Sequence, residues 1–258
     1  IKNPVILGLM GLLEKISYKS ADHLIGLSPG IVEGIKKVAP KKKVALIPNG
    51  CDIDFFSNVT PLDSLDGFSK TDFVAVFTGA HGPANGLNAV LDVAKYLKVK
   101  NECDIKFLFV GDGKEKPGLV ARAEDEGLDN CIFWSPLPKT ELARVLKTAD
   151  LGLMILKNIP AFYYGTSPNK FFDYIASGLP VLNNYPGWLA GLVQEHKCGV
   201  AVEPDDAIAF ADKLIELKNN RDELLAMSSN AGILAKQFSR EDLADNFVKV
   251  IDQVGGRK

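Results

Sequence analysis

From Phe73 to Pro204 the chain repeats one pattern: a short, almost unbroken apolar run, then a stretch whose apolar residues return at helical spacing. The runs are FVAVFTGA, IKFLFVGDG, CIFWSP, LGLMIL, PVLNNY and GVAVEP. The stretches between them predict helices ending near Lys98, Gly127, Ala149 and Ser177, another over Trp188 to His196, and one ending at Asn220. A strand that is apolar at every position has both faces buried, which is the situation in a parallel sheet whose crossover helices cover both sides. The expected fold class is therefore α/β, a doubly wound parallel sheet.

Residues 1–60 read differently. They offer a helix, a strand ADHLIGLS, a helix PGIVEGIKKV opened by Ser28 as N-cap and Pro29 at N1, and a strand KVALIP, too few strands for a sheet of their own. They are expected to be the tail of a preceding domain and a linker, 61–238 the main domain, and 239–258 a closing helix. That helix, starting after Ser239, keeps Leu243, Phe247, Val250 and Ile251 on one face and needs a partner for it. The pattern begins as if inside a helix, so the chain is expected to start within a longer natural sequence. The apolar stretch Pro4 to Leu13 falls well short of the roughly twenty residues that span a bilayer.

Composition narrows the function classes. Charged residues make up 24% and the net charge is −2, which leaves no basic footprint for nucleic acid. Cys51, Cys103, Cys131 and Cys198 are scattered without a CxxC pair, so zinc is not expected and reduced cytoplasmic thiols are. Lys36, Lys37 and Lys41 to Lys43 form either a solvated loop or a contact with an anionic membrane surface, which leaves peripheral attachment to the inner face of the cell membrane open. His23, His81 and His196 stand in no nucleophile context.

In an open parallel sheet, ligands bind beyond the carboxyl ends of the strands, and three loops there carry candidate residues. Thr78-Gly79-Ala80-His81-Gly82-Pro83 is either a tight turn or a glycine-rich approach of backbone amides to an anion at a helix N-terminus. In Thr166-Ser167-Pro168-Asn169-Lys170, Ser167 is expected to cap a helix with Pro168 at its first position, so that the amides of Asn169 and Lys170 face an anion. Lys170 and Asp173, three apart, put a cation near a bound phosphate and a carboxylate one turn on for ribose hydroxyls. Trp134-Ser135-Pro136-Leu137-Pro138 either presents backbone groups, at Ser135 and Leu137, to a nucleobase or merely ends a strand. Asp52-Ile53-Asp54 has the D-x-D form of a metal site but follows a Pro-Asn-Gly turn and is read as a turn, with no metal expected.

Two stretches carry a family resemblance over Ala21 to Val250. Ile47-Pro48-Asn49-Gly50-Cys51-Asp52 with Phe55 and Phe56 resembles an interdomain I-P-N-G-x-D linker, and Asp173 to Val181 resembles an E-A-M-A-x-G-x-P-V segment. Both are similar to the retaining glycosyltransferases of the two-domain, Rossmann-like GT-B fold commonly grouped as family four. The resemblance implies a donor-binding C-terminal domain with a fragment of the N-terminal acceptor domain. It implies a nucleotide-diphosphate sugar as substrate rather than a cofactor, a sugar or lipid-linked saccharide as acceptor, and the missing N-terminal domain as partner. Asp173 stands where the family has its ribose-binding glutamate, while Gly165 stands at the earlier glutamate of the E-x₇-E pair. Gly79 to Gly86 stands at the phosphate-binding G-R-x₄-K-G stretch, with Ala80 and Asn85 in place of its two cations, so Lys170, with His81, is expected to take over the diphosphate. The S-P-N-K-x-F-D-Y stretch resembles transferases of bacterial O-antigen, lipopolysaccharide and capsule assembly, some of them N-acetyl-fucosamine transferases, which points to a UDP-linked HexNAc or deoxy-HexNAc. The main catalytic residues are expected upstream of Ile1, so that these residues bind donor and transfer little by themselves. A sugar-nucleotide epimerase of the same fold, or a non-catalytic nucleotide-sugar-binding module, remains the alternative.

Overall fold

Strand character is strongest where both faces are covered, and the computed structural model, which describes residues 3–256, shows that arrangement at its centre. The elements before the main sheet are α1 (Pro4–Ser20), β1 (Leu24–Gly26), α2 (Pro29–Val38), β2 (Val44–Leu46) and α3 (Ile53–Ser57). Ser28 caps α2 as predicted, its hydroxyl accepting the Ile31 N–H at 3.2 Å, with Pro29 opening the helix. β1 and β2 pair in parallel, Leu24 opposite Val44, with α2 as the crossover, so this segment forms a two-stranded sheet.

The main sheet and its helices follow as β3 (Phe73–Thr78), α4 (Asn88–Val99), β4 (Ile105–Val110), α5 (Lys116–Asp125), β5 (Cys131–Trp134), α6 (Lys139–Thr148), β6 (Leu151–Met154), α7 (Pro160–Tyr163) and α8 (Asn169–Ala176). The chain continues with β7 (Val181–Asn183), α9 (Trp188–Glu195), β8 (Gly199–Ala201), α10 (Ala207–Asn219), α11 (Arg221–Gln237) and α12 (Arg240–Gly255). The six strands are all parallel in the order β5-β4-β3-β6-β7-β8. The chain winds outward from β3 to β5, returns to β6 beside β3, and winds out the other way. The order therefore reverses between β3 and β6, where a doubly wound sheet opens a crevice at its carboxyl end.

Alternation along β3 divides the core. Phe73, Ala75 and Phe77 pack with α4 and α10 on one side, while Val74 and Val76 pack with α8, α9 and α11 on the other. The expected α/β class, doubly wound and parallel, is the observed one. Residues Arg221–Gln237 form α11, a helix that the sequence pattern does not announce. Its buried Leu224, Met227, Ala231, Leu234 and Ala235 have helical spacing, but exposed Leu225 and Ile233 and the polar Ser228 to Asn230 blur the stripe. Residues 61–71, rich in Asp and Ser, are irregular yet packed: Leu65 is buried and Phe68 meets Trp134 edge-on at 6.4 Å.

The ends are less covered. Neither α1 nor α12 contains a buried residue, and α1 exposes Val5, Leu9, Leu12, Leu13 and Ile16 along one side. Between them, residue 51 bridges residue 239: the Cys51 N–H donates to Phe238 O at 2.7 Å and the Arg240 N–H to Cys51 O at 3.0 Å. No described helix is long and apolar enough to cross a membrane.

α8 is fixed against the switch point by Tyr174. This side chain is fully buried, and its hydroxyl accepts the Thr78 N–H at 3.0 Å and lies 3.2 Å from Thr78 Oγ1. Tyr174→Phe leaves that buried N–H without a partner. It should lower stability by about 1–3 kcal/mol in urea unfolding, with little change in the dependence on urea concentration.

Candidate functional site

The carboxyl end of β3 is shaped by glycine. Gly79 has φ +113°, a left-handed conformation that a side chain resists, and a Cβ on Gly111 would stand 2.0 Å from Gly79 O. The expected helix N-terminus directly after Gly79 and Gly82 is absent, because α4 starts only at Asn88. The N–H groups of Gly79 and His81 continue the sheet pattern instead, donating to Val110 O at 2.9 Å and Asp112 O at 2.8 Å. Among the described residues the N–H groups of Ala80 and Gly82 donate to no protein acceptor. The loop is braced from within by Asn85 Nδ2, which donates to Ala80 O at 2.6 Å. Across the switch point the Lys157 N–H donates to Ala84 O at 2.9 Å, tying the loops after β3 and β6 together.

His81 departs from its expected role. Its ring is fully buried among Phe77, Phe109 and Phe133, and among the described residues neither nitrogen has a partner. Burial, reinforced by Lys116 and Lys170 against the opposing pull of Asp112, lowers its pKa to about 4. A neutral ring facing the core offers nothing to a diphosphate, so the imidazole contact expected from the sequence is not supported.

Lys170 stands opposite that loop. Its ammonium lies 3.6 Å from the centroid of Phe77, and a Cβ on Gly79 would be 3.6 Å from Lys170 Nζ. Among the described residues it has neither an ion pair nor a hydrogen bond. Burial pushes its pKa down to about 7, since desolvation disfavours the charged form and no anion offsets it. The capping expected from Ser167 is not formed: Pro168 occupies the N-cap position and Ser167 Oγ accepts the Asn49 N–H at 3.1 Å instead. The serine ties the linker to α8, yet the N–H groups of Asn169 and Lys170 still donate to no protein acceptor among the described residues. Thr166 Oγ1 donates to Phe162 O at 3.2 Å within the preceding loop.

Asp173 faces a different group of charges. Its carboxyl is raised by burial, with Lys139 and Arg240 opposing the shift and Asp52 adding to it. The carboxylate makes no ion pair and accepts no hydrogen bond among the described residues. Lys170 and Asp173 thus share α8, the cation directed at the end of β3 and the carboxylate placed by the linker and the start of α6. At that second end, Ser135 is exposed and Leu137 half-buried, and the backbone groups of both lack intramolecular partners among the described residues. Asp52, read as part of a turn, precedes α3 and pairs with Lys139 and with Arg240, the latter at 3.2 Å.

The match that decides the family spans residues 65–250, which fit the model described as "Glycosyl transferases group 1". The chain belongs to the group 1 glycosyltransferases. A D-inositol 3-phosphate glycosyltransferase of Corynebacterium urealyticum is 27% identical over 227 residues, covering 81% of this chain and 51% of that protein. An N-acetyl-alpha-D-glucosaminyl L-malate synthase of Bacillus anthracis is 21% identical over 240 residues, 91% of this chain and 60% of that protein. The chain thus spans about half the length of such relatives. Among solved structures, sucrose-phosphate synthase of Thermosynechococcus elongatus aligns over 100% of this chain and 65% of its own, with a TM-score of 0.79 at 18% identity. Anabaena HepE in complex with UDP and glucose aligns over 94% of this chain and 66% of its own, with a TM-score of 0.75 at 16% identity. At that identity the likeness is one of fold.

Sequence reasoning missed two lysines of this group 1 glycosyltransferase that shape the loops. Lys116 Nζ donates to Gly111 O at 2.8 Å and Trp134 O at 2.7 Å, clamping the ends of β4 and β5, and Lys139 reaches the linker. No local motif marks either one, because their partners are remote in sequence.

The lowered pKa of Lys170 has a consequence for stability. From about pH 7 up to its ordinary value of 10.5, the unfolded chain holds a proton on this lysine that the folded chain has released. Folding stability therefore gains with rising pH across that window. Lys170→Met should remove this contribution, so the stability difference between wild type and variant narrows from pH 7 to pH 10 in denaturant titrations, the variant being the more stable at pH 7.

Proposed function

We propose that this chain is the donor-binding part of a glycosyltransferase, holding a nucleoside-diphosphate sugar across the crevice between β3 and β6. The observation that carries the reading is the pair on α8: a half-buried lysine and a half-buried aspartate, each without a protein partner among the described residues, at the switch point of a doubly wound sheet. Uncompensated charges of this kind cost stability and collect where a ligand completes them. The diphosphate lies against the free amides of Asn169 and Lys170 and the Lys170 ammonium, facing the loop at Gly79, Ala80 and Gly82. Asp173 accepts the ribose hydroxyls, and the backbone of Ser135 and Leu137 meets the base.

In transfer, the bond from the sugar's anomeric carbon to the diphosphate oxygen breaks and its electron pair leaves on that oxygen. An acceptor hydroxyl supplies the new bond and loses its proton. A helix N-terminus and a fixed ammonium are suited to stabilising the charge that collects on the leaving diphosphate. Several structural neighbours are complexes with UDP, which supports a uridine nucleotide as the donor's carrier. The stretch Ser167 to Tyr174 supports a HexNAc or deoxy-HexNAc donor, used with retention in building a cell-surface saccharide. The proposed domain division assigns 1–60 and 239–258 to contacts with an acceptor-binding domain. The open edges of β1 and β2 and the exposed apolar sides of α1 and α12 support that assignment. The lysines at 36, 37 and 41 to 43 suit a peripheral membrane contact near the acceptor.

Calorimetric titration with UDP, GDP, ADP and NAD tests the reading. UDP should bind, and Lys170→Ala and Asp173→Ala should each weaken it by about 1–3 kcal/mol through loss of a charged hydrogen bond. Binding insensitive to both substitutions would remove the proposed site. Because free Lys170 is partly neutral above pH 7 and a diphosphate favours the ammonium, UDP binding at pH 8 should take up a proton. The heat should then vary with the ionisation enthalpy of the buffer in wild type, and the variation should shrink in Lys170→Met.

A further inference from the structure

Four charged groups meet at the nucleoside end of the crevice, from four separate parts of the chain. Asp52 comes from the linker, Lys139 opens α6 directly after the Ser135–Pro138 loop, Asp173 belongs to α8 and Arg240 opens α12. Their pairing is uneven. Asp52 Oδ2 holds the Lys139 ammonium and Asp52 Oδ1 lies 3.2 Å from Arg240 Nε, so one carboxylate engages both cations. Asp173 is brought beside them because Cys51, the residue before Asp52, donates its thiol to Phe172 O, the residue before Asp173, at 3.3 Å, yet among the described residues Asp173 pairs with neither cation.

Secondary contacts explain how the cations stay on Asp52. Lys139 Nζ sits 4.8 Å from the Phe55 ring centroid and 5.8 Å from that of Phe56, two aromatic faces carried by the helix that follows Asp52. Arg240 also donates to Gly50 O at 3.3 Å. Both cations are about half exposed, 47% for Lys139 and 54% for Arg240, so these pairs contribute little to stability. The region is not packed solid either, since a cavity of about 200 Å³ opens between Asp52, Phe55, Ser239 and Arg240. An arrangement that does little for stability still decides which carboxylate is left free.

We propose that Asp52 is a positioning residue that sequesters Lys139, Arg240 having its second anchor at Gly50 O, and so keeps the Asp173 carboxylate open to the ribose hydroxyls of a nucleoside-diphosphate sugar. The inference rests on the donor-site reading above and adds to it the residue that guards the site. With Asp52 neutralised, Lys139 loses its carboxylate and turns to the unpaired Asp173. An ion pair there occupies the lone pairs that the ribose needs. Removing the lysine as well should then set Asp173 free again, a reversal that general damage to the fold cannot produce.

The test is calorimetric titration of UDP into wild type, Asp52→Asn, Asp52→Glu, Lys139→Met and the double variant Asp52→Asn/Lys139→Met, with thermal unfolding of each alongside. Asp52→Asn should bind UDP about fivefold more weakly, as expected for a newly formed competing ion pair, with little change in unfolding midpoint. Asp52→Glu should stay close to wild type, and the double variant should recover most of the affinity lost in Asp52→Asn. Wild-type affinity in Asp52→Asn, or a loss that Lys139→Met does not reverse, overturns the inference while leaving the donor site standing. Failure of wild type itself to bind UDP overturns the donor reading and this inference with it.

Discussion

Tyr174 joins the two halves of the sheet to the helix that carries the candidate site. Its ring lies where any side chain on residue 152 of β6 would stand, since a Cβ on Gly152 would come within 2.6 Å of it. Its hydroxyl meets the last residue of β3. One buried side chain thus spans the place where strand order reverses and sets the height of α8 above it. Phe171, Phe172 and Ile175, all buried, complete that face of the helix. With four of eight positions committed to the core, Asn169, Lys170 and Asp173 take the remaining directions, and their relation to the loop after β3 follows from the packing beneath them.

Much of the architecture is legible in the sequence because it rests on burial, which leaves a periodic trace. The six apolar runs each became a strand of the main sheet, and the helices between them end within a few residues of the expected positions. α11 escaped because its buried stripe is interrupted by polar residues and accompanied by exposed Leu225 and Ile233. The candidate site was legible as a set of loops but not as a set of contacts. The N-cap rule favoured Ser167, yet Asn49 of the linker claims its hydroxyl, a competition between residues remote in the chain that no local rule registers. His81 lies between Gly79 and Gly82 just past a strand end, where the sequence suggests a ligand-facing side chain, and only the surrounding phenylalanines of β3, β4 and β5 show that it faces the core.

The departures from the family's pattern make physical sense as a set. Ala80 and Asn85 stand where the resemblance leads one to expect cations, and the structure finds residue 85 bracing residue 80 through a hydrogen bond. A loop closed in this way is a small backbone cradle without charge of its own. The ammonium that could supply charge comes from the opposite wall, on α8, at the surface of Phe77. A cation fixed on a core helix has less freedom than one on a loop, and less ordering is then needed when an anion arrives.

That placement has a cost that argues for its purpose. An ammonium drawn out of water without an anion destabilises the ligand-free fold, and Lys170 gains only the face of one ring in return. A methionine of similar length would fill the same space at lower cost, so packing gives no reason for the charge. Asp173, one turn away, is likewise left unpaired although two cations stand near enough to influence it. Within one helix the fold leaves a cation and, three residues on, a carboxylate without protein partners among the described residues. A ligand with phosphate at one end and hydroxyl donors at the other satisfies both, which neither a simple anion nor a simple sugar can do.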